Sequence, residues 1–201
     1  MDQRRVRLSR AQQQALTRER LLAAAEKVID RHGFGGASID LISAEAGYSK
    51  GAIYSNFESK EAVFLELLRQ YMERDMAALE QIVELEPDQL SAALTRWLET
   101  MDSETDCPLL VTELQLQARR NPAFAERYYA LQAQQTRTLA RILERYFEAA
   151  SRPMPMDSQD LARALTALAH GLSLQRPGAA PGEPNPAGHA IDSLLKLLIQ
   201  R

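Results

Sequence analysis

A single cysteine, Cys107, stands among 201 residues, which excludes an internal disulfide framework and any multi-cysteine metal site and suits a reducing cytosol. No apolar run approaches the ~20 residues that cross a bilayer, so no membrane partner is expected. The arginine-rich N-terminus leads into no apolar segment and does not read as a secretory signal. Sustained two-residue alternation is missing, so strands are not expected. Glycine and proline, nine each, are sparse and gather at the breaks between helical stretches. There is no Glu-x-x-His pair for a di-iron bundle, no His-Glu-x-x-His and no phosphate-cradling glycine loop. Neither a metal nor a cofactor is therefore expected.

What is present is an uneven charge. The net value of −3 hides residues 1–60 with ten Lys/Arg against seven Asp/Glu, and residues 61–201 with fourteen against twenty. Arg4, Arg5, Arg7, Arg10, Arg18 and Arg20 all lie in the first twenty residues. A basic head on an acidic body is the pattern of a polyanion-binding part joined to one that does not bind it.

Helical periodicity fills the rest. Ser9 and Gln12 form a capping box for a helix to Arg31, ended by Gly33, Gly35 and Gly36. Ser38 caps a short helix through Ala46, with Asp40 in its first turn where the dipole favours an anion. Gly47-Tyr48 breaks it, Ser49 caps the next helix to Phe57, and Ser59 caps a fourth toward Glu84. Pro87, Pro108 and Asn121-Pro122 open three more. Residues 151–157 are a linker, Ser158 starts an eighth helix, 176–188 is a proline-rich loop, and a ninth helix carries Ile191 to Leu198. The expected fold is all-α with about nine helices: a head over 1–60 and a helical body over 61–201.

Residues 38–57 carry the chemistry. Two short helices around a glycine turn, with Ile39, Ile42, Ala46, Ile53 and Phe57 able to face one another, form the helix-turn-helix pattern, whose second helix enters the major groove by its N-terminal residues. Ser49 and the free N–H groups of that helix's first turn can bind phosphate. Gly51 and Ala52 keep that end slim, and Lys50, Tyr54, Ser55 and Asn56 offer a charge and hydrogen-bonding groups. Lys60 lies within reach of a sugar-phosphate backbone. A competing motif is Gly47-x-Ser49-x-Gly51, the nucleophile elbow of hydrolases, but that elbow follows a strand and Ile39–Ala46 reads as a helix.

The string Ser38-Ile39-Asp40-Leu41-Ile42 through Ala46-Gly47-Tyr48-Ser49-Lys50-Gly51-Ala52-Ile53-Tyr54-Ser55-Asn56-Phe57-Glu58-Ser59-Lys60-Glu61 closely resembles the DNA-binding head of the tetracycline-repressor (TetR) family of bacterial regulators. Arg18 to Gly33 also matches that family's first helix, and the resemblance spans roughly residues 17–70. It implies that Ser49, Lys50, Gly51, Ala52, Tyr54, Ser55 and Asn56 form the recognition helix and that Ser38, Tyr54 and Lys60 meet phosphates. Tyr48 and Asn56 depart from the commonest family residues and bear on which bases are read.

The resemblance further implies a cytoplasmic, non-enzymatic repressor, released from a palindromic double-stranded DNA operator by a small apolar or aromatic effector. Trp97, Met101, Leu110, Leu114, Tyr128 and His170 are candidates for its pocket, although aromatic residues and a lone histidine at helical spacing also suit an ordinary core. The stripes Leu161/Leu165/Leu168/Leu172 and Ile191/Leu194/Leu195/Leu198 are candidates for a homodimer interface. A DNA-associated architectural or interaction protein without an effector, and a helical hydrolase using Ser49, stand as alternatives.

Overall fold

A computed structural model describes residues 9–100, 107–175 and 186–200. These form nine helices and no strand: α1 (Arg10–Gly36), α2 (Ile39–Ala46), α3 (Lys50–Tyr54), α4 (Lys60–Val83), α5 (Pro87–Thr100), α6 (Cys107–Arg120), α7 (Pro122–Ala149), α8 (Ser158–Leu174) and α9 (Pro186–Gln200). Arg4, Arg5, Arg7, Met101 and most of the expected 176–188 loop lie outside the described residues.

The helix ends follow from local chemistry. The Ser9 hydroxyl accepts from the Gln12 N–H at 3.2 Å while the Gln12 side chain accepts from the Ser9 N–H at 2.9 Å, closing the expected capping box. α1 is broken at Gly33, whose φ of 64° suits glycine. Ser38, Ser49 and Asn121 each accept from a first-turn N–H of α2, α3 and α7. Asp157 caps α8, accepting from Gln159 and Asp160 at 3.0 Å each. α3 ends at Tyr54 rather than Phe57, although the Phe57 N–H still bonds the Ile53 carbonyl at 2.8 Å.

The chain divides into two compact units, Met1–Leu68 and Arg69–Arg201. In the first, Leu21, Leu22, Ala25 and Val28 of α1 are buried with Ile42, Ile53, Phe57, Val63, Phe64 and Leu68. In the second, one apolar cluster joins Leu79, Leu94, Leu98, Leu143, Phe147, Leu161, Leu165, Ile191 and Leu195.

Two expectations are corrected here. α9 begins at Pro186, so Gly188 belongs to a helix and not to a loop. A Cβ at Gly188 would overlap the Leu98 carbonyl of α5, so only glycine permits this close crossing. Leu161, Leu165, Ile191 and Leu195 were expected on a dimer face, yet all four are buried in the core of their own chain. An apolar stripe on a helix marks whichever face is covered, and here the covering comes from the same unit. Leu168, Leu172, Leu194 and Leu198 remain half-buried, and Leu197, which the stripes omit, is 51% exposed.

Candidate nucleic-acid interface and ligand cavity

Gly47, with φ 70° and ψ 28°, takes the left-handed conformation that ends α2 and swings the chain into α3. Ile42 and Ile53 are fully buried across this turn, fixing the two helices against each other. The opposite face of α3 is open. Ser49, Lys50, Gly51, Tyr54 and Ser55 are exposed, while Ala52 and Asn56 are half-buried at its edge. Tyr54 is 57% exposed, an unusual fraction for an aromatic residue in a folded core unit. Ser49 and Ser38 use lone pairs to cap helices, which leaves each hydroxyl proton available for an acceptor such as a phosphate oxygen. Ser55 and Asn56 both donate to the Ala52 carbonyl, at 2.9 and 2.8 Å, so Asn56 turns its amide nitrogen back on α3.

The charges around this face are arranged by α1 and α2. Lys50 pairs with Asp40 of α2 at 2.6 Å, and this carboxylate holds the Lys50 pKa above its usual value. Glu45 of α2 binds Arg31 at 2.6 Å and Lys27 at 3.7 Å, tying α2 to α1. Tyr48 sits half-buried with its hydroxyl 3.4 Å from Arg20, and the Arg20 and Thr17 hydrogen bonds hold its phenol below the usual tyrosine range.

Lys60 is a correction. Its ammonium donates to the carbonyls of Phe34 and Ala37 at 3.0 and 3.1 Å and lies over the Phe34 ring. The end of α1 leaves carbonyls unbonded, and a cation four carbons from its backbone satisfies them. The charge assigned to a phosphate is therefore engaged within the unit. Sequence reasoning also missed Arg18. It donates to the Asn56 carbonyl at 2.8 Å, pairs with Glu66 at 3.2 Å and stacks over Phe57 at 4.2 Å, clamping the end of α3 to α1 and α4. Its position one turn before Leu21 and Leu22, on the rim of the buried face, is the only signal the sequence offers.

The nucleophile-elbow alternative lacks its scaffold. Ser49 follows a helix, no strand occurs among the described residues, and its hydroxyl caps α3.

The second unit holds a cavity of about 730 Å³ lined by residues of α4, α5, α6, α7, α8 and α9. Trp97, Tyr128 and His170 line it as expected. Leu110 and Leu114 do not: both are buried behind the wall, and the residues of α6 that reach the cavity are Pro108, Val111 and Gln115. Leu165, Ile191 and Leu195 also face it, as do Gln132, Thr136, Leu139, Leu143 and Tyr146 along one stripe of α7. Thr112 donates to the Pro108 carbonyl, so at its 3.2 Å contact with His170 the imidazole Nε2 is the donor. Gln132 donates to the Tyr128 hydroxyl at 3.1 Å. Burial raises the Tyr146 pKa, helped by the Asp192 carboxylate.

Two family models match separate stretches of the chain. The family model "Bacterial regulatory proteins, tetR family" matches residues 21–67, and "BetI-type transcriptional repressor, C-terminal" matches residues 87–199. The chain is similar to the HTH-type transcriptional regulator EthR of Mycolicibacterium smegmatis, at 25% identity over 80% of this chain and 77% of EthR. A putative TetR-family regulator from Mesorhizobium loti has the same fold, with a TM-score of 0.70, 16% identity and coverage of 96% and 98% of the two chains. FadR of Bacillus subtilis, solved with stearoyl-CoA, superposes with a TM-score of 0.65 at 16% identity over 90% and 97%. No described helix is long and apolar enough to cross a membrane.

Proposed function

The chain belongs to the TetR family of bacterial transcriptional regulators, and from that premise we propose that it represses transcription by holding a palindromic operator as a homodimer and releasing it when a small, largely apolar effector fills the body cavity. The observation that carries this reading is the pairing of an exposed α3 face, on a rigid glycine turn, with a cavity of ordinary ligand size in the second unit. Ser49, Lys50, Gly51, Ala52, Tyr54, Ser55 and Asn56 are the groups offered to DNA, with Ser38 and Tyr48 at the flanks. Lys50 offers a donor and Asn56 its side-chain carbonyl oxygen to base edges, while the hydroxyls suit phosphates.

The cavity wall is mostly apolar and aromatic, with Trp97, Tyr128 and Tyr129 able to stack on a flat ligand. Its charged lining residues are Asp75 and Arg163, one of each sign. A polyanionic ligand inside it loses hydration without a matching cation cluster. FadR, solved with stearoyl-CoA, supports a long alkyl chain as one candidate class, whereas the phosphate-bearing head of that ligand has no cation cluster to meet it inside this cavity. An effector that binds the released form more tightly lowers operator affinity, and by linkage the operator lowers effector affinity by the same factor.

Selection of bound sites from random DNA tests the reading. An inverted repeat with half-sites about 34–36 Å apart, or a multiple of that, is the expected product. Recovery of no enriched inverted repeat removes the proposal. The single tryptophan, Trp97, then reports effector occupancy by its emission.

A further inference from the structure

One buried side chain of the cavity has a hydrogen-bonding group without a partner among the described residues. Tyr146 of α7 is 3% exposed and lines the cavity, yet its hydroxyl meets no hydrogen-bond partner among the described residues. No described side-chain polar atom is both sealed off and unpartnered, so this hydroxyl opens onto the cavity space. Among the other polar groups of the lining, Trp97, Gln135 and Thr166 are only half-buried and Gln115 and Tyr129 are exposed, while several more are engaged. Tyr128 accepts from Gln132, His170 contacts Thr112, and Arg163 is held by Asp160 at 2.6 Å.

We propose that Tyr146 is the polar anchor of the cavity, donating its phenolic proton to the carbonyl oxygen of an uncharged, otherwise apolar ligand. The proposal rests on the reading of this cavity as a ligand site and adds the chemistry that site selects. A phenol in an apolar wall is a strong donor and a poor acceptor, and a buried donor without a partner costs more than the bond itself returns. The ligand therefore needs an acceptor at this point. Charge is excluded from the same spot. Asp192 near Tyr146 is already paired with Lys196 at 2.7 Å, which leaves little attraction for a ligand cation, and Arg163, the basic residue of the lining, is held by Asp160, which leaves no cation to receive a carboxylate. A neutral carbonyl on an aromatic or alkyl body satisfies Tyr146 and keeps the rest of the molecule against Leu79, Trp97 and Leu143.

Three probes of similar size test this on the full chain: hexanophenone (a neutral ketone), hexylbenzene (the same body without an acceptor) and para-hexylbenzoate (an anion). Affinities come from equilibrium dialysis. The wild type is expected to prefer the ketone over hexylbenzene by about tenfold, the worth of one buried hydrogen bond, and to bind the benzoate most weakly. Tyr146→Phe is expected to remove the ketone preference while leaving hexylbenzene affinity unchanged. An infrared shift of the bound ketone's carbonyl to lower frequency in the wild type supplies a readout that does not depend on the variant folding. The proposal is overturned if no probe binds, if the benzoate binds tightest, if the carbonyl is unshifted, or if Tyr146→Phe keeps the ketone preference. Operator release separates the two readings. A ketone that binds through Tyr146 without releasing the operator upholds the anchor and removes the effector role, whereas release with an unchanged preference in Tyr146→Phe does the reverse.

Discussion

The Lys60 ammonium lies 3.0 Å from the Phe34 carbonyl and 4.4 Å from the centre of the Phe34 ring. One residue of α4 thus satisfies the frayed end of α1 and stacks on the aromatic ring that packs against Phe64. The family likeness placed this lysine on DNA, because a cation just past a recognition helix has a phosphate within its reach. The carbonyls left open by Gly33 are nearer still. Lys60→Met is expected to destabilise the first unit by about 1–3 kcal/mol, the cost of losing charge-assisted bonds to half-buried carbonyls. Denaturant unfolding measures that loss. The slope of log affinity against log salt should not change, where loss of a phosphate contact lowers it by about 0.9.

Lys50 gives the opposite pattern. In the free protein its charge is shared with Asp40 at 2.6 Å, both side chains being more than half exposed. An exposed pair adds little to stability, so the fold is indifferent to losing it. DNA competes with Asp40 for the ammonium. Asp40→Asn should tighten operator binding and steepen the salt slope, whereas Lys50→Ala weakens binding and changes the preferred base at one position per half-site. Binding assays across salt concentrations, with a set of single-base operator variants, distinguish these outcomes.

Gly51 separates folding from DNA contact within one residue. A Cβ there meets only the Ser49 hydroxyl, at an ordinary 3.7 Å, and the backbone is not left-handed. Gly51→Ala should fold as well as the wild type or slightly better, since alanine is the stronger helix former. Operator affinity should nevertheless fall at least tenfold, because the methyl group stands where α3 meets the groove. Wild-type affinity in Gly51→Ala removes Gly51 from the interface.

Much of the first unit was legible in the sequence because its signals are local. Caps at Ser9, Ser38 and Ser49 and the turn at Gly47 depend on residues three or four apart, and all four formed as expected. Lys60 and Arg18 were misread or missed because their partners lie 26 and 38 residues away. In the second unit, periodicity identified apolar faces but could not say what covers them. Leu161 and Leu195 turned inward, Leu110 and Leu114 packed behind the cavity wall, and Tyr146 became a lining residue through the arrangement of α7 against its neighbours. The α7 stripe Gln132, Thr136, Leu139, Leu143 and Tyr146 was readable at helical spacing, and its polar members were the available clue.

The relocation of the core leucines sharpens the test of dimerisation. Leu168 and Leu194 are half-buried and Leu197 is exposed, so these are among the apolar groups of α8 and α9, with Leu172, Leu174 and Leu198, left for a second copy. Leu168→Glu with Leu197→Glu should give a monomer in sedimentation at micromolar concentration, with helical circular dichroism retained and tight operator binding lost. Leu195→Glu should instead unfold the second unit, since it buries an unpaired charge in the core. A double variant that stays dimeric moves the interface off these helices.

The junction of α5 and α9 makes a prediction about acid. Thr95 donates to Asp192 at 2.7 Å, and Lys196 bonds both Asp192, at 2.7 Å, and Thr95, at 3.0 Å. Burial opposes ionisation of Asp192, but the Lys196 and Thr95 hydrogen bonds outweigh it and hold the carboxyl below the usual range. The unfolded chain, with its carboxyl near the ordinary value of about 3.9, takes up this proton at a higher pH than the folded one. Stability from the site is therefore complete above about pH 4 and is lost as pH falls through the folded pKa. Asp192→Asn cannot ionise, so it should be less stable than the wild type at neutral pH and lose less on acidification below pH ~4. Thermal unfolding of both proteins between about pH 2 and 7 measures the difference. Parallel acid profiles for the two would show that Asp192 does not stabilise the junction through its charge.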